Sequence, residues 1–260
     1  MRYKTVLSYN GSGFFGWQNQ PDAISVQETL EKALSTLLKR KVTVTGAGRT
    51  DTSVNAIGYT AHFDAPETID AAVLCYKLNA ILPRSITIHS LEPASDDFHS
   101  RFDATGREYT YFLHRRKDPF VENYSYFCGY PLSFEDMNTA ASLLLGTHDF
   151  SCFEKTGGGN RTSVCTIKRA EWVEYTPSIH EICGPGTFNG EYWYFKVEAD
   201  RFLRNMVRAI VGTLLEVGRG RRSVESIPEL LKSGDRCDAG ESVPGYALFL
   251  SRVDYPSSGK

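Results

Sequence analysis

The sequence predicts an α+β fold with mixed or antiparallel sheets. Runs of strand-type residues come in adjacent groups, and helical segments stand between those groups. The aromatic-rich run at 107–114 is typical of a strand. Ser25-Val26-Gln27-Glu28 is a capping box, and the apolar residues that follow it repeat at helical spacing. The halves divide near residues 103–106, which predicts an N-terminal subdomain at 1–104 and a C-terminal subdomain at 105–260.

The remaining elements follow in order along the chain. Residues 3–9 form a predicted strand, and the β-patterned run at 42–46 leads into a loop from which 59–63 returns as another strand. Ser133 is a suitable cap for a helix in the second half. We further predict helices at 70–81, 201–217 and 224–233, and strands at 86–93, 163–175, 190–199 and 246–253.

Composition restricts the class of protein. The 260 residues are 41% apolar and 23% charged, which is ordinary for a globular protein. Six cysteines form no Cys-x-x-Cys pair, so we predict no structural metal. Without a signal peptide or an apolar run of spanning length, we expect reduced thiols, no membrane association and a cytoplasmic location. The glycine-rich run at 157–160 lacks the ending of a phosphate loop and reads as a mobile loop.

Net charge alone does not indicate a nucleic-acid partner, since it is −2 at pH 7. The distribution of charge is more informative. Residues 201–222 hold six arginines against the single acidic Glu216, and shorter basic runs occur at 39–41 and 115–117. A basic face on a nearly neutral protein can steer RNA, although each short run alone is more often a solvated surface.

One carboxylate stands out by its position. Asp51 lies in the turn Gly46-Ala47-Gly48-Arg49-Thr50-Asp51, directly after a predicted strand. Loops that follow strands are where rigid scaffolds present reactive groups, and glycines allow close approach to a ligand. A lone aspartate in a turn is usually a turn former or helix cap, so two other segments are needed to favour a functional interpretation.

The first of these segments is 201–217, which reads as a helix that is apolar nearly all round and therefore buried. Arg201, Arg204 and Arg208 recur on one face of it at spacings of three and four. A buried guanidinium stays charged, and leaving it without a partner costs roughly 3–5 kcal/mol. We therefore expect a carboxylate or phosphate beside at least one of them, Arg208 above all, because the others could reach a wet edge.

The second segment is the strand at 107–114, in which Tyr109 and Tyr111 share one face and the cations of 115–117 follow. Aromatic side chains flanked by cations suit stacking on nucleic-acid bases while phosphates are held. Most aromatic strands simply belong to the core, so this segment is weak evidence by itself.

Together the segments resemble the tRNA pseudouridine synthase A family. The resemblance runs in order from about residue 3 to residue 253, and the Gly-Arg-Thr-Asp block is its most specific part. It is also carried by Tyr9-Asn10-Gly11, Phe15-Gly16-Trp17-Gln18, Gln20, Leu78-Asn79-Ala80-Ile81-Leu82-Pro83 and Met206-Val207-Arg208.

By position, the resemblance implies that Asp51 is the catalytic aspartate and that Tyr109 stacks on the target base. It implies that Arg208 pairs with the aspartate, and that Arg49 contacts RNA and helps to hold the target nucleotide out of the stack. It further implies two α/β subdomains with abutting sheets and a central catalytic cleft, and a homodimer that acts on the anticodon stem-loop of tRNA.

Three positions depart from the family pattern. Ser53 replaces a glycine and would strain the turn if that site needs a positive φ. Asn55 replaces a histidine, and Ser100 stands where the family favours alanine. None of these changes removes a group that the chemistry needs, so they bear on loop conformation and on the choice of uridines.

Pseudouridine formation breaks the bond from ribose C1′ to uracil N1 and joins C1′ to C5, so neither a cofactor nor water is consumed. One ionised carboxylate can attack the sugar as a nucleophile or take a proton from it, and the sequence leaves both mechanisms open. A basic partner at close range would keep that carboxylate charged when it is desolvated. The target base must be flipped out of structured RNA at a cost of about a few kcal/mol.

Two other functions stay open. A glycoside or nucleoside hydrolase would normally need a second carboxylate near Asp51, and the surrounding sequence offers none. An RNA-binding homologue with lost or altered catalysis would account for the changes at Ser53 and Asn55, since function belongs to the site and not to the fold. The presence of Asp51, Tyr109 and Arg208 together argues against that second alternative.

Overall fold

The structure, a computed structural model, describes residues 1–157, 162–184 and 191–256. Most of the glycine-rich run interpreted as a mobile loop, residues 158–160, therefore lies outside the described residues. The chain groups into two units, the first containing residues 1–107 and 249–256 and the second residues 108–248. The C-terminal strand thus belongs to the first unit, whereas the sequence predicts it in the C-terminal subdomain at 105–260.

The sheet of the first unit contains strands in the order β4-β1-β3-β10. Strand β1 (Arg2–Tyr9) pairs antiparallel with β3 (Asn55–Asp64) and with β4 (Ile86–Ala94). Strand β10 (Leu248–Asp254) runs parallel to β3, with Phe249 opposite Asn55, and β2 (Val44–Gly46) pairs antiparallel with β3. The prediction of mixed or antiparallel pairing is confirmed.

Two capped helices complete the first unit. Helix α1 (Val26–Leu38) is capped by Ser25, whose hydroxyl accepts a hydrogen bond from the Glu28 N–H at 3.1 Å, so the serine half of the predicted capping box is confirmed. The helix buries Leu30 and Leu34 on its apolar face and ends at Lys39 in the left-handed region. Helix α2 (Ala71–Ile81) is capped by Asp70 and buries only Leu74 and Leu78.

The sheet of the second unit contains strands in the order β5-β9-β8-β7. These are β5 (Gly106–His114), β7 (Gly146–Asp149), β8 (Val164–Tyr175) and β9 (Tyr192–Ala199). Strand β8 pairs antiparallel with both β7 and β9, and a short β6 (Tyr126–Phe127) runs parallel to β5. The helices are α3 (Phe134–Ser142), α4 (Ser178–Cys183), α5 (Met206–Gly218) and α6 (Ser226–Ser233).

The predicted helix at 201–217 is wrong in its first turn. Helix α5 begins at Met206, because the preceding residue, Asn205, has φ of 66° and so breaks the helical path. Arg201 and Arg204 therefore do not share a helix face with Arg208, and Arg204 is exposed. Of the three arginines only Arg208 lies on the helix, half-buried in its first turn, while Arg201 is half-buried in the segment before it.

Among the residues that the structure describes, the sequence patterns missed three kinds of short element: short strands, a short α-helix and 3₁₀ turns. Strands β6 and β7 span two and four residues, and α4 spans six. Four 3₁₀ turns also occur, at Gly11–Gly13, Ser151–Phe153, Arg236–Asp238 and Gly245–Ala247. Segments of this length hold too few residues for a period of 2 or 3.6 to be recognised.

Across the described ranges, no helix has the length and hydrophobicity needed to cross a membrane. Among the same residues, no three His, Cys, Asp or Glu side chains group as a metal site would require. All six cysteines are free thiols, and Cys128, Cys152 and Cys165 are buried. Burial raises the pKa of the Cys152 and Cys165 thiols to about 12, which disfavours their reactive thiolate forms.

The segment at 240–243 packs directly against helix α5 and sets the position of its first turns. Thr213 Oγ1 accepts a hydrogen bond from the Gly240 N–H at 2.9 Å, and the Val243 N–H donates to the Arg208 carbonyl at 3.2 Å. A Cβ placed on Gly212 would overlap the carbonyl oxygen of Glu241. The absence of a side chain at Gly212 is therefore what allows this close packing.

We predict that Gly212→Ala destabilises the protein. Alanine in a helix interior is normally favoured over glycine by about 1 kcal/mol, but here overpacking costs at least about 1–3 kcal/mol and reverses the sign. Urea unfolding followed by circular dichroism measures the change. Gly13→Ala is the control, because nothing lies within 4 Å of a Cβ at that position. A Gly212→Ala protein as stable as the wild type would contradict the packing described here.

Candidate active site

The turn that carries Asp51 is tied to the segment Phe14–Trp17 of the first unit. The Trp17 N–H donates to the Thr50 carbonyl at 3.2 Å, and the Ser53 N–H donates to the Phe14 carbonyl at 3.2 Å. Inside the turn, the Val54 N–H donates to the Asp51 carbonyl at 3.1 Å. Backbone contacts on both sides of Asp51 therefore hold its Cα in a defined place.

Three buried aromatic side chains contact the turn or stack on one another beside it. The Tyr9 hydroxyl lies 2.9 Å from the Thr50 hydroxyl, and the Tyr59 hydroxyl donates to the Gly48 carbonyl. The Trp17 ring stacks on Tyr59 with centroids 4.1 Å apart. All three rings are buried, so the aromatic brace, Tyr9, Trp17 and Tyr59, anchors the turn to the sheet. The family resemblance includes Tyr9 and Trp17 but gives them no role, and the sequence predicts only that Tyr59 lies in a strand.

Ser53, which stands where the family has glycine, adopts a positive φ. Its φ is 64°, in the left-handed region, where a side chain costs roughly 1–2 kcal/mol. The backbone hydrogen bonds of Ser53 and Val54 stabilise the turn in this conformation, in which Asp51 is half-buried and Arg49 is exposed. Asp51 and Arg49 are thus presented together by one strained, well-anchored loop.

Tyr109 and Arg208 lie in the second unit. Tyr109 is half-buried on β5, and its ring meets the Phe202 ring edge-on at 5.1 Å with an interplanar angle of 90°. A T-shaped contact of this kind favours one orientation of the Tyr109 ring. The next aromatic residue on the strand, Tyr111, is fully buried, and burial raises its pKa well above the ordinary value although the charge of Arg208 acts in the opposite direction.

Arg208 is held by the same segment that packs on helix α5. Its Nε donates to the Val243 carbonyl at 2.7 Å, while the backbone of Val243 donates to the Arg208 carbonyl. The first of these bonds uses a guanidinium nitrogen, and the second uses the backbone of the residue. Val243 therefore holds Arg208 both at its backbone and at the Nε edge of its guanidinium.

A family model described as tRNA pseudouridine synthase matches residues 6–103 and 140–256. The chain belongs to the tRNA pseudouridine synthase family. The members of this family are isomerases. Asp51, Arg49 and Arg208 fall inside the matched ranges and Tyr109 falls outside them.

Full-length relatives in this family are named tRNA pseudouridine synthase A. The protein from Bacteroides thetaiotaomicron is 46% identical over 255 residues, covering 98% of this chain and 91% of the relative. The Porphyromonas gingivalis protein is 45% identical over 258 residues, covering 98% of both chains. The Bacillus subtilis protein is 39% identical over 259 residues, covering 98% of this chain and 99% of the relative.

Both remaining departures from the family pattern are buried. Asn55 is almost fully buried, and its Oδ1 accepts a hydrogen bond from the Gly11 N–H at 2.9 Å, so it holds the chain inside the first unit and is not exposed to RNA. Ser100 donates from Oγ to the Thr45 carbonyl at 2.8 Å, and the same oxygen lies 2.9 Å from His62 Nδ1. An alanine at position 100 would lose both contacts.

The basic residues of this family member are less free than their clustering in the sequence indicates. Arg222 pairs with Glu216 at 3.0 Å, and the Arg219 guanidinium lies 3.7 Å from the centre of the exposed Tyr130 ring. Arg115 and Arg116 lie 3.6 and 3.5 Å from Glu191. Part of the predicted basic face is thus internally compensated, while the stacked Arg219 and Tyr130 present a cation and an aromatic ring together.

We predict that Ser53→Gly raises the free energy of unfolding by about 0.5–1 kcal/mol. Glycine accepts a positive φ without strain, which stabilises the folded state. The greater conformational freedom of glycine in the unfolded chain cancels part of that gain. Ser53→Val is the matched control and is expected to lower stability, since a β-branched residue tolerates that φ least. Urea denaturation measures both. A Ser53→Gly protein that is less stable than the wild type would show that the serine side chain supplies a contact which outweighs the strain.

Burial of His62 gives a second prediction, this time on pH. Burial, helped by the charge of Arg2, lowers the pKa of His62 from 6.5 to about 4. Between pH 6.5 and pH 4, His62 is therefore protonated in the unfolded chain and neutral in the folded chain. The free energy of unfolding, which is highest above pH 6.5, consequently falls as the pH drops towards 4.

From this group alone, the free energy of unfolding should fall by about 2 kcal/mol between pH 7 and pH 5. Measuring denaturation at both pH values with His62→Gln should reveal a shallower pH dependence, whatever the absolute stability of that variant. His89→Gln is the control, because His89 is exposed on β4 and should leave the slope unchanged. Equal slopes for wild type and His62→Gln would refute the assignment.

Proposed function

We propose that this protein isomerises uridine to pseudouridine in the anticodon stem-loop of tRNAs, at tRNA positions 38 to 40. The reaction class follows from family membership and from relatives named tRNA pseudouridine synthase A. The choice of the anticodon stem-loop comes from the resemblance in the Gly-Arg-Thr-Asp block. The observation that supports it most is Asp51 itself, a single carboxylate on an anchored, glycine-containing turn.

Asp51 is the catalytic carboxylate in this proposal. Attack on ribose C1′, or removal of a sugar proton, requires an oxygen whose position does not drift while the base detaches and rotates. Hydrogen bonds on both sides of the residue and the aromatic brace support this by fixing the backbone from which the carboxylate projects. The two mechanisms remain alternatives, since both need the same ionised group in the same place.

Arg208 is proposed to pair with Asp51, to keep it ionised after water is excluded and to orient its oxygens. The charge on an arginine cannot be lost, and the hydrogen bond from Arg208 Nε to the Val243 carbonyl supports a fixed orientation of the guanidinium. Tyr109 is proposed to stack on the uracil, which suits a half-buried ring whose orientation is favoured by the contact with Phe202. Arg49, exposed in the same turn as Asp51, is proposed to contact the RNA and stabilise the flipped-out nucleotide.

The reaction needs no cofactor in this proposal. The bond from C1′ to N1 breaks, the bond from C1′ to C5 forms, and the proton lost from C5 is balanced by one gained at N1. The partner is tRNA, and the protein is proposed to act in the cytoplasm as a homodimer in which one tRNA contacts both subunits. The quaternary state rests on the resemblance, and the location rests on the expectation of reduced thiols.

We predict that the wild type forms pseudouridine in the anticodon stem-loop of unmodified tRNA transcripts without added metal or nucleotide. Asp51→Ala and the isosteric Asp51→Asn should lower the rate by at least about a thousandfold, because the only carboxylate proposed for the chemistry is removed. Modification is mapped by position, and a gel shift measures tRNA binding. Asp22→Asn is the control, since Asp22 is exposed in a neighbouring loop.

Each outcome separates the proposed enzyme from its alternative. Product with Asp51→Asn at the wild-type rate would exclude Asp51 as the catalytic group. A folded wild type that binds tRNA and makes no product would favour the alternative, a tRNA-binding homologue with lost or altered catalysis. In that case Ser53→Gly is the first variant to test for recovered activity, because Ser53 adopts the strained conformation in the turn.

A further inference from the structure

A large aromatic side chain, Phe15, lies in the open beside the Asp51 turn. It is 55% exposed, and its ring has no aromatic neighbour among the residues that the structure describes. Single exposed apolar residues are normal on protein surfaces and by themselves need no explanation. What sets Phe15 apart is the way in which the backbone around it is held.

The hydrogen bonds between the two segments place the backbone of Phe15 next to the turn that carries Asp51. The Phe14 carbonyl accepts from the Ser53 N–H, and the Trp17 N–H donates to the Thr50 carbonyl. Phe15 and Gly16 lie between these two contacts on one segment, and Asp51 lies between them on the other. A Cβ on Gly16 would come within 3.1 Å of the Asp51 carbonyl carbon, so the two backbones touch at this point.

The backbone of Phe15 is also fixed on its other side. Its N–H donates to the Ile24 carbonyl at 2.9 Å, and its carbonyl accepts from Gln20 Nε2 at 2.8 Å. The following carbonyl, that of Gly16, accepts from the Val26 N–H at 3.2 Å, at the start of helix α1. The ring therefore projects from a backbone whose N–H and carbonyl are both hydrogen-bonded, so little backbone freedom is lost when something stacks on it.

We propose that Phe15 stacks on a nucleobase next to the uridine that is isomerised. This inference rests on the proposed function, because it takes structured RNA as the substrate. When one nucleotide is flipped towards Asp51, the faces of its neighbours lose a stacking partner, and an aromatic side chain beside the turn can replace it. Arg49, exposed in the same turn, supplies the positive charge that the adjacent phosphates require.

Stacking of this kind accepts any base, since every base has a π-face. Phe15 would therefore support modification at more than one uridine, and its contribution would appear in binding of the RNA and not in the chemical step. Phe15 is in this sense a positioning residue. Its ring is not proposed to touch the reacting atoms.

The test compares Phe15→Leu, which keeps apolar bulk and removes the π-face, with Phe15→Trp, which keeps and enlarges it. With an anticodon stem-loop substrate, Phe15→Leu should raise KM about tenfold at unchanged kcat, and Phe15→Trp should stay within about twofold of the wild type. Tyr76→Leu is the matched control, because Tyr76 is 77% exposed on α2 of the same unit and should alter neither constant.

A spectroscopic measurement addresses stacking directly. The stem-loop carries 2-aminopurine at the nucleotide on one side of the target uridine, and then at the other side in a second RNA. At one of these positions, fluorescence in the complex should be quenched by the wild type and by Phe15→Trp, and much less by Phe15→Leu. Thermal unfolding of each protein checks that the fold is unchanged.

The possible results have distinct meanings. If the wild type makes no pseudouridine, the proposed function fails before the role of Phe15 is reached. If the wild type is active and Phe15→Leu has the same KM and the same quenching, stacking by Phe15 is refuted while the function stands. Loss of activity in Phe15→Leu and Phe15→Trp alike, with a lowered melting temperature, would assign Phe15 a structural role and also overturn the inference.

Discussion

The contact between the Phe14–Trp17 segment and the turn around Asp51 is the constraint on which the first unit's site depends. Two backbone hydrogen bonds bracket Asp51, and the missing side chain of Gly16 lets the two backbones touch. Buried Tyr9 and Tyr59 then tie the turn to the strands below through their hydroxyls. Because buried polar groups must be paired, each of these bonds is costly to break, and the turn is rigid for that reason.

This rigidity explains how a strained residue can persist beside the carboxylate that is proposed to be catalytic. Ser53 holds a φ of 64°, which costs free energy that only a well-determined surrounding structure can supply. Its N–H is itself one of the two bracketing donors, so relaxing φ would mean giving up the bond to the Phe14 carbonyl. The strained φ of Ser53 and the hydrogen bond from its N–H to the Phe14 carbonyl therefore depend on each other. Together they set the direction of the backbone at Asp51.

Sequence reasoning succeeded where the signal was local and failed where a single backbone angle or a distant partner decided the outcome. The cap at Ser25 and the loop between β2 and β3 follow from neighbouring residues, and both were predicted. Helix α5 was predicted five residues too early, because the positive φ of Asn205 leaves no trace in an apolar pattern. The placing of β10 beside β3 depends on pairing across nearly the whole chain, which no local pattern encodes.

The late start of helix α5 also changes how the arginines of that region should be understood. Three arginines on one buried face would have needed three partners, whereas the structure half-buries only Arg208 on the helix and leaves Arg204 exposed. Val243 contacts both the backbone carbonyl and the Nε of Arg208. The absence of side chains at Gly212 and Gly240 allows this segment to approach the helix closely. An arginine proposed to orient a carboxylate must itself be oriented, and in this chain a segment some 35 residues away along the sequence does so.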